Sequence, residues 1–487
     1  MDQIRPSNTP SPAPAELNDP TPAKVGAEFG TIGSADTNVS PEYDVVVVGA
    51  GMGGLATCIF LRHMKLRVIC IEPERFPHAY VGESLDWSSP GLLQALGLPR
   101  DQLIAERVAT FKRNIKVRSL DQPEVHGQPG ESLRNPPLGF EITTLHVDRA
   151  EFDQRLFELA QTLGTTFLWD RVTSTETKDG QVVACHTASN HRVAAPWFID
   201  GSGQAQLFGK AFKIPKVEYG RRKVCLWTYR DTAIRNEGTT FYGDTTDEYL
   251  TWLWEIPTRP DQLSIGCIMP AERFKELRRQ GQQVDMILRS EIAKYPDLTS
   301  LFADQSDLQV RTCSYRSYVY RNVCGPNWFM VGEAASLPDP LTANGVTAAF
   351  RHAQDAAHFI EDSLHRGTLS TRQRYVYNTN VRRMGHAFNH SIERSVYEWP
   401  VRQGLSVLRM ERVYTSFSYP INALYSKFRP QSRRSMALFG CLFVVVYLWM
   451  EIWSLVGRLA FHARRFRQRQ ARVGADRSNA LQNSDEV

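Results

Sequence analysis

The chain has 487 residues, of which 57 are Lys or Arg and 52 are Asp or Glu, so its formal net charge is +5. With 42% apolar residues and 8 Cys, the composition is that of a globular protein, which excludes a disordered tail protein, a collagen-like repeat and a disulfide-rich secreted scaffold. The charge is uneven, because residues 427–472 hold ten Lys or Arg and one acid, a net of +9, which leaves −4 for the rest.

Residues 1–42 are predicted to be a disordered leader. They contain seven prolines and lack both the apolar h-region of a signal peptide and the Arg-rich pattern of a transit peptide. The cysteines include no CxxC pair and no zinc or iron–sulfur spacing, so we expect reduced thiols and no metal site. These features favour a cytoplasmic location.

A strand–turn–helix–strand unit begins directly after the leader. Residues 44–48 read Asp-Val-Val-Val-Val, and this continuous run of apolar β-branched valines is typical of a strand buried on both faces of a parallel sheet. A glycine-rich turn follows at 49–54, then a helical pattern over 55–65 and a second strand over 66–71. This order predicts a βαβ unit.

The turn carries the pattern GxGxxG at Gly49, Gly51 and Gly54. The first glycine permits a tight turn, the second lets the backbone approach a pyrophosphate, and the third lets the helix pack closely on the sheet. Glu72, at the end of the second strand, can accept hydrogen bonds from a ribose. We therefore predict a dinucleotide site, and a glycine-rich turn without a ligand is the alternative.

Two later apolar strands end in glycine motifs. Residues 197–203 end in Asp-Gly-x-Gly, and residues 328–334 end in Gly-Glu-Ala. They resemble the second and third flavin-contact motifs of the FAD-dependent monooxygenase superfamily, whose third motif usually reads Gly-Asp-Ala. The resemblance implies FAD as cofactor and assigns these residues to its site: Asp200, Gly332, Glu333, Asp339 and Arg149. For Arg149, a salt bridge on a helix face is the alternative.

Residues 252–257 read Trp-Leu-Trp-Glu-Ile-Pro, which resembles the WxWxIP signature of flavin-dependent halogenases. Trp252 and Trp254 share one face of a strand, so an ordinary amphipathic strand is the alternative. In that family the tryptophans lie beside the channel from the flavin and keep the organic substrate away from it. The resemblance therefore implies a catalytic role for both tryptophans.

The segment 111–116, Phe-Lys-Arg-Asn-Ile-Lys, resembles the strand that carries the catalytic lysine of these halogenases. The resemblance assigns that role to Lys112. Alternation along a strand places Lys116 on the same face, so spacing alone does not choose between the two lysines. Gly82 and Glu83 resemble the family segment that precedes this strand and passes near the flavin.

The stretch after the third flavin motif departs from the family pattern. Tryptophan halogenases have a Glu-Ser pair where this chain has Thr342 and Ala343, so the assisting carboxylate is missing. This favours a phenolic or other electron-rich aromatic substrate over tryptophan. Asn344 and Gly345 match the backbone that holds the halide in the family, and free amides at a helix start suit an anion.

The resemblance implies an α/β fold with an α+β substrate region: a Rossmann-like FAD-binding domain of the flavin monooxygenase type, an inserted substrate-domain sheet and C-terminal helices. The catalytic part spans residues 43–400, with helical patterns over 347–362 and 371–425.

The implied reaction uses FADH2, O2 and chloride, with bromide left open. A flavin C4a-hydroperoxide oxidises the halide to hypohalous acid, which the lysine delivers to an aromatic precursor in secondary metabolite biosynthesis, with a lipophilic precursor left open. A separate flavin reductase is the expected partner, because we find no second nucleotide fingerprint. The alternatives are an FAD-dependent monooxygenase or epoxidase on a lipid, a geranylgeranyl-reductase-like enzyme, and an inactive FAD-binding subunit.

The C-terminal region 401–472 is predicted to be helical, and residues 473–487 to be a disordered tail. Within it, 436–457 carry one charge, Glu451, and arginines flank both sides. A helix of this length is long enough to cross a bilayer, but basic residues on both flanks favour one that lies on anionic lipid. We predict membrane association rather than nucleic-acid binding; a buried helix or dimer contact is the alternative.

Overall fold

The structure is a computed structural model that describes residues 42–76, 81–86, 89–120, 122–127, 143–244, 248–302, 308–398, 444–445, 448–449 and 451–467. The predicted leader before residue 42 and the predicted tail 473–487 lie outside the described residues, as does most of the region 401–472.

Strands and helices are interspersed along the chain. The strands are β1 (Val45–Val48), β2 (Val68–Glu72), β3 (Ala109–Lys112), β4 (Asn114–Ser119), β5 (Gln122–Gly127), β6 (Thr144–Val147), β7 (Thr166–Trp169), β8 (Val172–Lys178), β9 (Gln181–Thr187), β10 (Arg192–Ala194), β11 (Trp197–Asp200), β12 (Lys216–Glu218), β13 (Lys223–Asp231), β14 (Gly238–Asp244), β15 (Thr251–Arg259), β16 (Gln262–Pro270), β17 (Arg311–Tyr315), β18 (Tyr318–Tyr320), β19 (Trp328–Met330) and β20 (Ser336–Leu337). The helices are α1 (Met52–His63), α2 (Ser89–Leu96), α3 (Arg100–Ala105), α4 (Arg149–Thr162), α5 (Leu207–Ala211), α6 (Ala271–Arg279), α7 (Val284–Ile292), α8 (Pro296–Thr299), α9 (Gly345–Glu361) and α10 (Thr371–Ile392).

The first sheet is parallel, with strand order β19-β11-β1-β2-β7. Its central strand β1 is fully buried, as expected for an apolar β-branched run with a strand on each side. Helix α1 connects β1 to β2, which confirms the predicted βαβ unit. The helix begins at Met52, three residues before the predicted start, because the last glycines of the turn already adopt helical backbone.

The second sheet is mixed, with strand order β17-β13-β16-β15-β14-β4-β5. All its pairs are antiparallel except β14 with β4. Alternation gives the sheet two apolar faces. One face packs with residues of α6, α7 and α8. The other carries an aromatic cluster that contains Trp227, Trp252 and Trp254.

Strands β3 and β6 form a separate two-stranded ribbon. Lys112 ends β3, whereas Lys116 lies in β4, which belongs to the seven-stranded sheet. The prediction that the two lysines share one strand face was therefore wrong, because the chain changes sheets between residues 112 and 114. Lys112 is buried, and Lys116 is only partly buried.

Helix α9 spans Gly345–Glu361, close to the predicted 347–362, and α10 spans Thr371–Ile392 before a π-helical turn at Glu393–Tyr397. Residues 371–397 of the predicted helical stretch 371–425 are thus helical, and residues 399–425 lie outside the described residues. A capping box at Ser370 begins α10: its hydroxyl accepts from Gln373 N, and the Gln373 side chain accepts from Ser370 N.

Residues 451–467 are helical and contact the body through ion pairs. Glu451 lies 3.0 Å from His390 and 3.1 Å from Arg394, and Arg458 lies 2.7 Å from Glu398. Within the described part of the chain, no helix is both long enough and apolar enough to cross a membrane.

Candidate active site

The glycine-rich turn is built as a cradle between β1 and α1. Gly49 adopts a positive φ of 91°, and a Cβ there would lie 2.5 Å from the Gly201 carbonyl oxygen. A Cβ on Gly54 would lie 1.8 Å from the Gly49 carbonyl oxygen, so both positions require glycine. At Gly51, by contrast, a Cβ would meet nothing within 4 Å, because this backbone borders open space. This space, at the start of α1, fits the pyrophosphate of FAD.

Glu72 closes the other side of the turn. Its carboxylate accepts hydrogen bonds from Ala50 N at 2.6 Å and from Glu74 N at 3.0 Å. Each carboxylate oxygen retains a further lone pair, so Glu72 can hold the loop and still accept from a ribose hydroxyl.

The open space at Gly51 gives a specific expectation. Gly51→Ala should leave the melting temperature of the FAD-free protein unchanged, since the new methyl group meets no protein atom. It should weaken FAD binding by at least roughly 10-fold, because the methyl group occupies space that the pyrophosphate needs. Fluorescence titration with FAD measures this. Gly243→Ala, whose new Cβ makes only an ordinary contact 3.7 Å from Leu250, is the control and should bind FAD normally.

Arg149 begins α4 and pairs with Asp153 one turn later, through bonds of 2.9 and 3.0 Å. This is the salt bridge on a helix face that the sequence left open. The guanidinium also donates to the carbonyl of Val81 at 2.9 Å. Burial lowers the pKa of Arg149, but the carboxylates of Asp153, Glu83 and Glu333 outweigh it and raise the pKa overall. Arg149 thus brings helix α4 and the segment around Glu83 together.

Glu333 lies in the turn after β19. Its side chain is exposed to solvent, yet desolvation by the surrounding protein raises its pKa, against the opposing effects of Gln204 and Arg149. The two observations agree if Glu333 lines a deep cleft that water can enter. Gly332, beside it, has a positive φ of 57°.

Asp200, unlike Glu333, has no exposure to solvent. It is fully buried at the end of β11 and accepts from Ser202 N, from the Ser202 hydroxyl at 2.6 Å and from Phe208 N at 2.7 Å. Its carboxylate therefore holds the loop after β11 against the start of α5. Any contribution of Asp200 to the cofactor site acts through this loop.

Glu83 connects its own segment, residues 82–85, to the tryptophan signature. Its carboxylate accepts from Gly82 N at 2.9 Å and from the hydroxyls of Tyr229 and Ser264, both at 3.0 Å. The Ser264 hydroxyl in turn accepts from Trp254 Nε1 at 3.1 Å. Gly82, with a positive φ of 114°, turns the chain so that this carboxylate points inwards.

Lys112 lies on the other side of the same segment. It is 2% exposed, and its Nζ donates to the Ser84 hydroxyl at 2.8 Å and to the Leu85 carbonyl at 3.3 Å. Burial lowers the pKa of Lys112 to about 8, an effect that Asp86 partly offsets. Thr110, two residues earlier on the same face, donates to the carbonyl of Pro257, which anchors the lysine strand to the signature strand.

His146 was missed from the sequence. It is fully buried on β6, opposite Thr110, and its Nε2 lies 3.5 Å from the Thr239 hydroxyl. Burial and the charge of Lys112 hold the pKa of His146 well below its usual range. Only its position three residues before the helix that begins at Arg149 could have suggested it, because its closeness to Lys112 depends on the pairing of β3 with β6.

The two signature tryptophans lie side by side on the inner face of the second sheet, with ring centroids 5.9 Å apart, as the alternation predicted. Both are almost fully buried. Trp252 Nε1 donates to the Tyr397 hydroxyl at 3.0 Å, and this hydroxyl donates to Asp339 at 3.2 Å. Trp252 is thereby connected to the turn that precedes α9.

That turn is where the sequence predicted a halide. Asp339 accepts from Leu341 N at 3.1 Å, which starts a short helical turn at Pro340–Thr342. Ala343 adopts a positive φ of 54°, and Asn344 caps the start of α9 at Gly345. The backbone amides at the start of this helix are directed towards the turn, which suits an anion.

A second buried lysine, Lys223, was also missed. Its Nζ lies 3.1 Å from Asp339, 3.2 Å from Glu393 and 4.1 Å from the centre of the Tyr397 ring. Burial alone would lower the pKa of Lys223, but Asp339 and Glu393 outweigh it and raise it. Asp339 therefore has two buried partners, Lys223 and Tyr397, and supports the turn rather than facing open space.

Removal of the Lys223 ammonium should lower the free energy of unfolding. Lys223→Met leaves two carboxylates without their buried partner, so we expect a loss of about 3–5 kcal/mol of unfolding free energy. Urea denaturation measures it. Arg67→Ala removes an exposed pair with Asp44 and should cost less than about 1 kcal/mol. Equal losses in the two variants would contradict the assignment of Lys223 as a structural centre.

Comparisons with known proteins identify the family of this chain. The tryptophan halogenase family model matches residues 44–128 and 133–399. The chain is 25% identical over 332 residues to the 1H-pyrrole-2-carbonyl-[peptidyl-carrier protein] brominase of Pseudoalteromonas luteoviolacea, covering 66% of this chain and 78% of the relative. It is 22% identical over 373 residues to the corresponding chlorinase of Pseudomonas fluorescens, covering 68% and 78%. The alignments span only 60 to 64% of four other curated relatives.

The crystal structure of halogenase PltM shares the fold, with a TM-score of 0.65 at 17% identity over 90% of this chain and 94% of that one. The chain therefore belongs to the tryptophan halogenase family of FAD-dependent enzymes. The predicted family, α/β fold and enzyme class are confirmed.

Proposed function

We propose that this protein is an FADH2-dependent halogenase that places a halogen, favouring chloride, on an electron-rich aromatic ring, with Lys112 as its catalytic residue. The observation that carries the proposal is the state of this lysine. It is buried, its pKa is about 8, and its ammonium donates to the Ser84 hydroxyl and the Leu85 carbonyl, which fix its position.

Reduced FAD, when bound, supplies together with O2 the oxidising power that converts halide to hypohalous acid. The residues that would hold it are the glycines of the first turn, Glu72, Arg149 and Glu333. The backbone at Asn344 and Gly345 would hold the halide. Asp339, paired with Lys223, would hold the turn that precedes this backbone. A separate reductase supplies the reduced flavin.

In this mechanism Trp252 and Trp254 present apolar surface between the flavin site and Lys112. Their indole N–H groups are already bonded within the protein, to Tyr397 and Ser264, so the rings cannot easily move away. They exclude the organic substrate while leaving passage for a small neutral molecule such as hypohalous acid.

Lys112 then acts on hypohalous acid. As an ammonium it donates to the Ser84 hydroxyl and to the Leu85 carbonyl. We assign to this ammonium a charge-assisted hydrogen bond to the hypohalous oxygen, which polarises the oxygen–halogen bond and favours transfer of the halogen to carbon. The missing carboxylate near Thr342 points to a phenol or similar ring, because such rings need less help from a second acid.

The direct test uses FAD-loaded protein, a flavin reductase and a panel of phenols, pyrroles and tryptophan, in chloride or in bromide. Mass spectrometry should show a halogenated product with the isotope pattern of the halide supplied. A protein that hydroxylates these rings and never halogenates them contradicts the proposal.

We also propose that residues 451–467 attach the protein to anionic lipid. Ile452, Leu455 and Leu459 are each more than half exposed on one side of this helix, and arginines follow them. Leu455→Ser with Leu459→Ser should reduce binding to phosphatidylglycerol vesicles by roughly 10-fold. Leu364→Ser, an exposed leucine elsewhere, is the control. Wild type that does not cosediment with such vesicles contradicts the proposal.

A further inference from the structure

Two cysteines face each other on neighbouring strands of the second sheet. Cys225 on β13 is the direct antiparallel partner of Cys313 on β17. Opposed Cα atoms in antiparallel pairs lie about 4.5 or 5.5 Å apart, depending on the kind of pair. Both values fall within the roughly 4.4–6.8 Å range that disulfides require. Both residues are free thiols, and their side chains are within hydrogen-bonding distance of each other.

The pair lies beside the tryptophan signature. Cys225 is opposite Ile268, and Ile268 is opposite Trp252, so the three form one row across the sheet. Both cysteines pack in the aromatic cluster of that face. Cys225 is close enough to Glu83, and Cys313 to Glu333, for the carboxylates to influence the thiols. The thiols therefore lie near residues of the proposed flavin site and next to the tryptophans, within reach of hypohalous acid that forms there.

The two thiols are not equivalent. Cys225 is 3% exposed, whereas Cys313 is partly exposed. A hydrogen bond from the Cys225 thiol lowers the pKa of Cys313, while burial and the same bond raise that of Cys225. Cys313 is thus the more accessible and more nucleophilic sulfur, and Cys225 is placed to attack it afterwards.

We propose that Cys225 and Cys313 form an oxidation site that captures hypohalous acid not used by the aromatic substrate and closes to a disulfide. The proposal rests on the proposed function, which supplies the oxidant. The Cys313 sulfur attacks the halogen, and water leaves, giving a sulfenyl halide. The Cys225 sulfur then displaces halide and forms the disulfide. Overall, two thiols and one hypohalous acid give one disulfide, one halide ion, one proton and one water.

The chain contains a matched control pair. Cys58 on α1 and Cys70 on β2 also have side chains in hydrogen-bonding contact. Both are fully buried in the core beneath the glycine-rich turn, among apolar residues of the first sheet. They offer the same thiol chemistry without access from the tryptophan side, so we expect them to stay reduced.

The experiment uses the full-length, FAD-loaded protein in three arms, with catalase present in the last two. The first receives one equivalent of reagent hypochlorous acid. The second turns over with reductase, chloride and O2 but without aromatic substrate, and the third omits the halide. Free thiols are alkylated, disulfides are then reduced and alkylated with a heavy reagent, and peptides are measured by mass spectrometry.

We expect the Cys225–Cys313 disulfide in the first two arms and not in the third, with Cys58 and Cys70 reduced throughout. Thiols at 225 and 313 that remain reduced in the first arm overturn the proposal, as does equal oxidation of the control pair. A disulfide in the first arm but not in the second contradicts release of hypohalous acid, and hence the proposed function, while it supports the thiol assignment.

A variant gives an independent reading. Cys313→Ser removes the accessible sulfur at a partly exposed strand position, so the fold should tolerate it. During turnover without substrate, oxygenated Trp252 and Trp254 peptides should then accumulate faster than in the wild type. Equal accumulation in the two proteins overturns capture by this pair.

Discussion

Lys112→Ala should lower organic halogenation by about 10²-fold to 10⁴-fold, the range that a positioned proton donor contributes. The FAD content should stay at the wild-type level, because Lys112 donates to Ser84 and Leu85, whereas the predicted pyrophosphate site is the glycine-rich turn at 49–54. Halide oxidation should also continue, since the proposed mechanism places it at the flavin, away from Lys112. The measurement compares halogenated product with hypohalous acid trapped by a small, freely diffusing acceptor.

Lys116→Ala is the matched control. Lys116 is four residues away and also ends in an ammonium, but it lies on β4 and is partly buried. We expect the yield of halogenated product from Lys116→Ala to remain within about twofold of the wild type, as for ordinary surface positions. Lys112→Ala with unchanged halogenation, or equal losses in both variants, would refute the assignment of Lys112.

The parts of the fold that could be predicted are those encoded in short stretches of chain. The run 44–48, the glycines that follow and Glu72 all lie within thirty residues. The residue type at each of these positions follows from its place in a buried strand, a tight turn or a strand end. The same holds for Trp252 and Trp254, since alternation along one strand is enough to place them together.

The surroundings of the lysine could not be predicted in this way. Lys112 and Lys116 look equivalent in sequence, and only the change of sheet between β3 and β4 separates them. His146 comes close to Lys112 through the pairing of β3 with β6. Such pairings depend on the whole fold, so no local pattern reports them.

The contacts that hold the proposed halide turn join residues that lie even farther apart in the sequence. Lys223, Asp339 and Tyr397 come from a strand, a turn and a π-helical segment that are each more than fifty residues apart. Asp339 was predicted as a cofactor residue from its motif. In the structure its carboxylate accepts from Lys223 and Tyr397. Because the Tyr397 hydroxyl also accepts from Trp252, a change at the turn could act on Trp252 as well.

The pH dependence of halogenation distinguishes the two chemical roles open to Lys112. Its pKa is lowered to about 8, chiefly by burial, so the amine carries its proton below that pH and loses it above. If the ammonium polarises hypohalous acid, as we propose, the rate of organic halogenation should fall about tenfold per pH unit above pH 8. If a neutral amine carried the halogen, the rate should instead rise as the pH passes through about 8.

Lys112→Arg makes this test specific to the lysine, because a guanidinium keeps its charge throughout the range. Its activity will be low, since the longer, planar group does not fit the two acceptors in the same way, but the remaining activity should lose the fall near pH 8. The rates must be measured with an aromatic substrate whose own ionisation lies outside the range. A fall near pH 8 that persists in Lys112→Arg would assign the titration to another group, and a rising wild-type profile would replace the polarising ammonium with a haloamine.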